Sequence, residues 1–181
     1  IYYVAMAPFA YQSLWDMIDI RKGGIAIYGA VVGAFVFGGL AAKWRKVPLL
    51  PLFDLVSLGF LIGQGIGRWG NFVNQEAFGT ETNLPWGMMS ENTGGVTVHP
   101  CFLYESLWCL LGFVLLHFFS KKFQKYYGQI FLLYLVWYGF ERMIVEGLRT
   151  DSLYTPFLNL RVSQILSAVV MIAGIVMLIV F

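Results

Sequence analysis

Residues 162–181 read VSQILSAVVMIAGIVMLIVF and contain no charged side chain. An apolar run of about 18 residues or more is long enough to cross a lipid bilayer as a helix. Other runs along the chain have the same character and carry only a few charges. The five predicted spans are residues 25–42, 49–67, 100–119, 130–146 and 162–181. We interpret residues 1–7 as the end of an earlier span.

The composition of the 181 residues agrees with a membrane protein, because hydrophobic residues make up 59% and charged residues only 12%. Soluble domains carry about 25% charged residues. This composition excludes a water-soluble globule, a nucleic-acid-binding domain and a disordered chain. The sequence predicts an all-α polytopic bundle with a single domain over residues 1–181 and an outer-side loop at 79–98. Because it begins without Met or a basic leader, we interpret it as a piece of a longer chain.

Nothing in the sequence indicates a metal or a cofactor. It contains no cluster of metal ligands and no glycine-rich nucleotide loop. The two cysteines, Cys101 and Cys109, are eight residues apart in one apolar run. On a helix they would lie about 12 Å apart along the axis, which is too far for a disulfide. We therefore expect both cysteines to be packing residues.

The basic residues suggest an orientation in the membrane. Two clusters follow the first and third spans, namely Lys43, Arg45 and Lys46, and Lys121, Lys122 and Lys125. Placing both in the cytoplasm gives an alternating path. As many basic residues then lie on the outer side, but most are arginines, and several lie beside carboxylates and glycines at span ends. We interpret the outer basic residues as parts of a functional site and the inner ones as signals of orientation. The opposite orientation remains an alternative.

Polar side chains crowd the end of the second span, where residues 67–79 read GRWGNFVNQEAFG. They include Arg68, Asn71, Asn74 and Glu76. The two asparagines share a face with Arg68 if the helix continues. Such groups are costly at membrane depth and usually face a cavity or each other. An interfacial cap with Arg68 extending to the lipid head groups is the alternative, but it does not explain the additional Asn and Glu residues.

A second polar row lies in the fourth span, where Tyr138, Arg142, Glu146 and Arg149 follow at helical spacing. A planar guanidinium suits bidentate contact with phosphate or carboxylate. The alternative is an ion pair that only neutralises the end of the helix. Glu141 lies on another face, and we interpret it as structural.

The third span contributes His99 just before its start and Tyr104 and Glu105 one turn inside it. A histidine at such a position is more often a cap than a catalyst, whereas a buried glutamate needs an arginine or hydroxyl partner. Gly59, Gly63 and Gly67 form a stripe that lets helices approach closely or leaves room for acyl chains. The polar groups map to one side of the membrane, so we expect a membrane-embedded site for an anionic phospholipid.

Residues 67–79 resemble the signature of bacterial phosphatidylglycerol–prolipoprotein diacylglyceryl transferases. Residues 23–29, His99 to Glu105 and residues 138–149 resemble further blocks of that family in the same order. The resemblance implies transfer of the diacylglyceryl group of phosphatidylglycerol to a prolipoprotein lipobox thiol, with formation of a thioether and release of glycerol phosphate. It also implies a site toward the outer face of the bacterial inner membrane. Members have about seven spans, so the first and part of the second are expected to be missing here.

The resemblance also implies roles for individual residues. The catalytic candidates are Arg68, Arg142, Glu76, Tyr28 and Glu146, and the substrate-binding candidates are Arg68, Asn71, Asn74, Gly79, His99, Tyr104, Glu105, Tyr138 and Arg149. Many members have histidine where this chain has Tyr28, and a tyrosine with a pKa of about 10 is a poor base. The group that accepts the thiol proton stays open among Glu76, Glu146, Tyr28 and His99.

Two other interpretations belong to different functional classes. The first is a non-enzymatic transporter of anionic lipids or anions that uses the same arginines. Transporters often show inverted repeats and broken helices near the midplane, and no such pair of halves is visible in this sequence. The second is a relative of the transferases that binds lipid without reacting.

Overall fold

The structure, a computed structural model, describes residues 27–150 and 161–181, without the side chains of residues 27–32, 35 and 162. These residues form five α-helices, one 3-10 turn and no β-strand. The helices are α1 (Ile27–Trp44), α2 (Leu49–Val73), α3 (Cys101–Lys122), α4 (Gln129–Leu148) and α5 (Val162–Val180), and the turn is Glu91–Thr93. The all-α prediction is confirmed for this part of the chain.

Three of the described helices are long and apolar enough to cross a membrane, namely Leu49–Val73, Cys101–Lys122 and Ser163–Val180. They correspond to the second, third and fifth predicted spans. The fourth predicted span lies in α4, which has 20 residues but carries Glu141, Arg142 and Glu146 in its second half. The first lies mostly in α1. The predicted span end at residues 1–7 lies outside the described residues.

The chain divides into two compact units, Ile1–Leu49 and Leu50–Phe181. The first contains α1, an 18-residue helix. At one end of the second unit, the carboxylate of Asp54 caps the start of α4. Its Oδ2 accepts hydrogen bonds from the Gly128 N–H and the Gln124 amide, each at 2.7 Å. Its Oδ1 accepts the Phe131 N–H at 3.0 Å. The first N–H groups of a helix have no partner within the helix, so Asp54 supplies one from α2. Asp54 thus joins α2 to the start of α4.

At the opposite end, backbone hydrogen bonds join the segment after α2 to the start of α3 and the end of α4. The Gly79 N–H donates to the His99 carbonyl at 2.9 Å, and the His99 N–H donates to the Thr80 carbonyl at 3.0 Å. The Thr80 N–H donates to the Leu148 carbonyl at 2.9 Å. The helices α2, α3 and α4 therefore alternate in direction, as an alternating membrane path requires. Lys121 and Lys122 lie at the end of α3 that is away from these bonds.

Two tryptophans fix α3 against α4. Trp108 and Trp137 stack with their ring centroids 4.4 Å apart. Each indole N–H donates to the backbone carbonyl of the other residue at 3.1 Å. A side chain at Gly112 would collide with the Trp137 ring. Glycine is therefore required there for the two tryptophans to interlock in this way.

Close helix contacts involve other glycines than the predicted stripe. A Cβ added at Gly59, Gly63 or Gly67 would have no described neighbour within 4 Å. At Gly65 it would lie 3.2 Å from the Leu110 side chain, and the Ser106 hydroxyl donates to the Gly65 carbonyl at 2.8 Å. No described residue packs closely against the predicted stripe, so of its two expected roles close helix approach is not seen within this part of the chain. The approach of α2 to α3 uses the opposite side of α2.

The two cysteines lie where packing residues were expected. Cys101 and Cys109 are both buried on α3, and neither takes part in a disulfide. Cys109 belongs to an apolar core with Leu61 of α2 and Ile130 of α4. The prediction that they are packing residues is confirmed.

Candidate active site

The central feature of the site is a carboxylate that bridges two arginines from different helices. Glu105 of α3 has no exposed side-chain surface. One of its oxygens lies 3.0 Å from Nε of Arg68 on α2, and the other lies 2.8 Å from Nη1 of Arg142 on α4. The predicted need of Glu105 for an arginine partner is confirmed, and the structure supplies two. Since like charges repel at short range, the carboxylate allows the two guanidinium groups to lie close together.

Glu146 extends this arrangement along α4. Its Oε2 lies 2.6 Å from Nη2 of Arg142, and the carboxylate is 2% exposed. We call Arg68, Glu105, Arg142 and Glu146 the arginine–glutamate cluster. The pair of Arg142 with Glu146 is the helical ion pair considered from the sequence, but Glu105 connects it to another helix. Removal of one partner from a buried ion pair costs about 3–5 kcal/mol, so the cluster holds α2, α3 and α4 together.

Arg68 faces inward rather than toward the lipid boundary. Its side chain is 19% exposed and its Nε is paired with Glu105. The neighbouring Trp69 donates its indole N–H to the Ser106 hydroxyl of α3 at 3.2 Å. The geometry therefore disagrees with an interfacial cap in which Arg68 extends to the head groups. The contact with Glu105 is an ion pair through Nε, and among the described residues no hydrogen bond occupies the two terminal nitrogens of Arg68.

The signature segment does not continue as a helix, because α2 ends at Val73. Gln75 and Ala77 adopt left-handed backbone conformations, with φ of 53° and 56°. Arg68 and Asn71 both lie in α2, and the Asn74 N–H still donates to the Gly70 carbonyl at 2.9 Å, so the shared face expected for these residues extends as far as Asn74, and the chain turns away at Gln75. Asn71 contributes its backbone carbonyl, which accepts the Glu76 N–H at 3.0 Å.

Asn74 and Glu76 lie together in the exposed turn after α2. The Asn74 amide donates to the Glu76 carboxylate at 3.1 Å. Among the described residues, the Glu76 side chain makes this one hydrogen bond and makes none with the arginine–glutamate cluster. The two residues are thus accessible to solvent at the end of the bundle where the cluster lies.

Gly79 brings three distant parts of the sequence together. It forms an antiparallel bridge with Arg149 at the end of α4 and is bonded to the carbonyl of His99. An added Cβ would lie 2.7 Å from the His99 Cβ and 3.0 Å from the Cys101 sulfur. Contacts this short are repulsive, so only glycine fits. Gly79 and the backbone of Arg149 thus hold together the three chain segments that surround the site.

His99 and Tyr104 form the outer edge of the site together with a residue that sequence reasoning did not single out. The His99 Nδ1 and the Tyr104 hydroxyl are 3.2 Å apart. The same hydroxyl accepts the indole N–H of Trp86 at 3.0 Å. Trp86 belongs to the 79–98 loop, and its sequence context of short polar and turn residues gave no sign of this contact.

Tyr138 and Glu141 line the interior next to the cluster. The ring of Tyr138 stacks on Tyr134 at a centroid distance of 5.9 Å, and the Tyr134 hydroxyl accepts a hydrogen bond from Gln64 at 3.0 Å. Glu141 is 4% exposed, and neither of its oxygens has a hydrogen-bond partner among the described residues. In the sequence, only the position of Glu141 inside an apolar run indicated that this side chain is buried.

The comparison with protein families gives the site its context. The family model of prolipoprotein diacylglyceryl transferases matches residues 1–180. The chain belongs to the prolipoprotein diacylglyceryl transferase family. The match includes every residue of the arginine–glutamate cluster and the whole signature segment.

Relatives in this family are similar over most of the chain. A phosphatidylglycerol–prolipoprotein diacylglyceryl transferase of Finegoldia magna is 46% identical over 166 residues, which is 92% of this chain and 65% of that protein. The enzyme of the same name from Thermotoga maritima is 43% identical over 183 residues, 96% of this chain and 62% of that protein. The one from Clostridioides difficile is 43% identical over 177 residues, 97% and 69% of the two chains. This chain thus spans about two thirds of the length of these transferases.

The predicted site residues of this family member fall into three groups in the structure. The cluster residues and Tyr138 lie around the ends of α2, α3 and α4. Gly79, His99, Tyr104 and Arg149 form the scaffold and rim beside it. Asn74 and Glu76 occupy the exposed turn, and the side chain of Tyr28 lies outside the described residues. Among the described residues no group of three His, Cys, Asp or Glu side chains could hold a metal ion.

Proposed function

We propose that the protein transfers the diacylglyceryl group of phosphatidylglycerol to the lipobox cysteine of prolipoproteins. The observation that carries this proposal is the pairing of Arg68 and Arg142 through the buried Glu105, in a chain of the transferase family. The donor is an anionic phosphodiester, and guanidinium groups recognise phosphate through planar, paired hydrogen bonds. The reaction needs no cofactor and no metal in this proposal.

We place this chemistry in a single domain, residues 1–181, with five spans in the bacterial inner membrane. The 79–98 loop and the arginine–glutamate cluster then lie toward the outer face, and Lys121 and Lys122 lie in the cytoplasm. The alternation of α2, α3 and α4 supports this arrangement, because the cluster and the lysines are at opposite ends of α3. The lysines at the end of α3 away from the cluster then lie in the cytoplasm, as the positive-inside rule requires.

The arginine–glutamate cluster binds the phosphate in this proposal. Glu105 accepts a hydrogen bond from Nη1 of Arg142 and forms an ion pair with Nε of Arg68, which holds both guanidinium groups near each other before substrate arrives. The terminal nitrogens of Arg68 then donate to the phosphate oxygens, with Arg142 beside them. Groups that are fixed in advance stabilise developing charge without reorganising, and this is the usual large contribution of such sites to catalysis. Glu105 is a positioning residue in this scheme.

The transfer itself exchanges one bond for another. The lipobox sulfur forms a bond to the terminal glyceryl carbon of the diacylglyceryl group, and the bond from that carbon to the phosphate oxygen breaks. The electron pair stays on the phosphate oxygen and leaves with glycerol phosphate. The thiol must lose its proton to attack, since the thiolate is the nucleophile. Nearby guanidinium groups favour the thiolate and the negative leaving group.

Glu76 is the proton acceptor that we favour among the candidates. Its carboxylate is exposed and is bonded by the neutral Asn74 amide. Glu146 is 2% exposed and is paired with Arg142, so a substrate thiol cannot easily reach it, and His99 lies against the Tyr104 hydroxyl. A base must be reachable from the reacting proton, and the exposed turn after α2 meets that requirement.

The open glycine stripe of α2 supports a place for the acyl chains. Gly59, Gly63 and Gly67 present a smooth surface with no described neighbour within 4 Å. The stripe ends next to Arg68, so a lipid with its phosphate at Arg68 can lay its acyl chains along these glycines.

The direct experiment uses the full-length protein in detergent or nanodiscs with labelled phosphatidylglycerol and a lipobox peptide. We expect a thioether-linked peptide and free glycerol phosphate in equal amounts, both detected by mass spectrometry. A peptide with serine in place of the lipobox cysteine and a membrane of phosphatidylethanolamine are the matched controls. Binding of phosphatidylglycerol without product would indicate an inactive relative. The family match does not support the transporter alternative. Movement of lipid across the membrane without formation of product would be the result that favours it.

A further inference from the structure

The 79–98 loop is a folded element with a defined tip. Its two ends run antiparallel, and the Met88 N–H and carbonyl both bond to Val98, at 3.0 Å and 2.8 Å. The Thr82 N–H donates to the Thr97 carbonyl at 2.9 Å. A turn is closed by the Gly87 N–H, which donates to the Leu84 carbonyl at 3.0 Å. We call residues 84–86 the loop tip.

The loop tip is apolar and exposed. Leu84 is 38% exposed and Trp86 is 55% exposed, with Pro85 between them. No charged residue occurs from 82 to 90, although Glu81 and Glu91 stand directly on either side. An exposed apolar group of this kind, bounded by charges, marks a surface that contacts another apolar phase or molecule.

The position of the tip follows from its bond to α3. Trp86 donates its indole N–H to the hydroxyl of Tyr104, which is the fourth residue of α3. Below Tyr104, the exposed apolar residues of α3 continue on the same face at helical spacing. They are Leu107, Leu111, Val114 and Phe118. Because α3 is long and apolar enough to span the membrane, this face contacts lipid, and the loop tip extends it at the helix end.

We propose that the loop tip inserts into the interfacial region of the outer leaflet beside α3 and binds phospholipid there. Tryptophan favours this region because its ring is apolar and its N–H keeps a polar partner. Here the partner is Tyr104, which also contacts His99 at the rim of the arginine–glutamate cluster. The tip thus connects the membrane surface, through Tyr104, to His99. This inference rests on the span of α3 and is independent of the transferase activity.

The test places a spin label on the full-length protein in nanodiscs that contain phosphatidylglycerol and phosphatidylcholine. Leu84→Cys carries the label at the tip, and Glu91→Cys in the same loop is the matched control. Cys101 and Cys109 are buried, so the added cysteine reacts selectively. Collision of the label with oxygen, which concentrates in lipid, is compared with collision with a water-soluble nickel chelate. Asn83→Cys, also exposed, serves as a second tip position if Leu84→Cys does not fold.

We expect the label at position 84 or 83 to collide more with oxygen than with nickel, and the label at position 91 to show the reverse. Preference for nickel at both tip positions in lipid alone would overturn the proposal. Protection of the tip only after a lipobox peptide is added would also overturn it, because the occupant would then be the peptide. Loss of transfer activity has no bearing on this result.

Discussion

At the scale of single residues, Glu105 determines what the arginines can do. Its two oxygens pair with guanidinium groups of two different helices, at 3.0 Å and 2.8 Å. Without this carboxylate the two cations would repel each other in an environment where charge is poorly screened. The bridge holds the two guanidinium groups close together, and in the proposed function the terminal nitrogens of Arg68 donate to a phosphate.

We predict that Glu105→Gln lowers the transfer rate by about tenfold or more, because removing one buried charge leaves its partners uncompensated by several kcal/mol. The side chain keeps its size, so cavity formation does not contribute. Initial rates of peptide modification and the midpoint of thermal unfolding measure the effect. The control is Glu91→Gln, which removes an exposed carboxylate. A Glu105→Gln rate within about twofold of wild type would mean that the bridge is not needed.

Gly79→Ala tests the scaffold of the site. The added methyl would approach the His99 Cβ at 2.7 Å and the Cys101 sulfur at 3.0 Å. Overpacking of this kind costs about 1–3 kcal/mol, so we expect lower thermal stability and reduced transfer. For stability alone, Gly59→Ala is the matched control, since no described atom lies near its Cβ and alanine is the better helix former. Equal stability of the two variants would contradict the tight contact.

The sequence predicted part of this residue-level arrangement. Helical spacing identified the pair of Arg142 and Glu146, and the cost of a buried carboxylate required a partner for Glu105. The identity of that partner could not be predicted, because Arg68 and Arg142 are each 37 positions from Glu105 and on other helices. Trp86 gave no signal, since its bond to Tyr104 depends on the path of an irregular loop.

At the scale of elements, the two ends of α2 have different roles: the start of the helix caps α4, and its end leads into the turn beside the site. Near its start, Asp54 caps α4 through three hydrogen bonds. At its other end, the helix stops at Val73, and Gln75 and Ala77 turn the chain with positive φ. No glycine or proline marks this helix end within residues 71–78, so local propensity favoured a continued helix. The bonds of the following segment to His99 and Leu148 override that propensity.

Asp54→Asn separates stability from chemistry. The amide keeps one oxygen but loses the charge and presents an NH₂ group to backbone donors of α4. Hydrogen bonds to charged groups contribute about 1.5–3 kcal/mol, and we expect a loss of stability in that range. Because Asp54 lies about 21 Å along α2 from Arg68, transfer well below the unfolding temperature should persist. Denaturation in detergent and initial rates measure both quantities, with Glu81→Gln as the exposed control. Unchanged stability would contradict the capping role.

At the scale of the whole molecule, the account needs the site and the lysines on opposite sides of the membrane. The spans were predicted from apolar runs, and the helices lie where those runs are. Which side is outer follows only from the distribution of lysine and arginine, because no helix contact reports on it. Charge is scarce inside the bundle: most of the charged side chains there form the arginine–glutamate cluster, and Asp54 and Glu141 are the other buried carboxylates among the described residues.

We predict that Glu91→Cys in the full-length protein reacts with a membrane-impermeant maleimide added to intact bacterial spheroplasts. Lys122→Cys should react only after the membrane is permeabilised, since it lies at the other end of α3. Both positions are exposed, so access to the reagent and not burial decides the result. The reverse labelling pattern would establish the opposite orientation.

The most direct test of the central claim is the transfer rate of Arg142→Lys in the full-length protein. Lysine keeps the positive charge but lacks the planar fork, so its single nitrogen cannot reproduce the separate contacts of Nη1 with Glu105 and of Nη2 with Glu146. We predict that transfer from phosphatidylglycerol to a lipobox peptide falls by about tenfold or more, and falls further in Arg142→Ala. Near-normal rates in both variants would show that the arginine–glutamate cluster is not the site of the reaction.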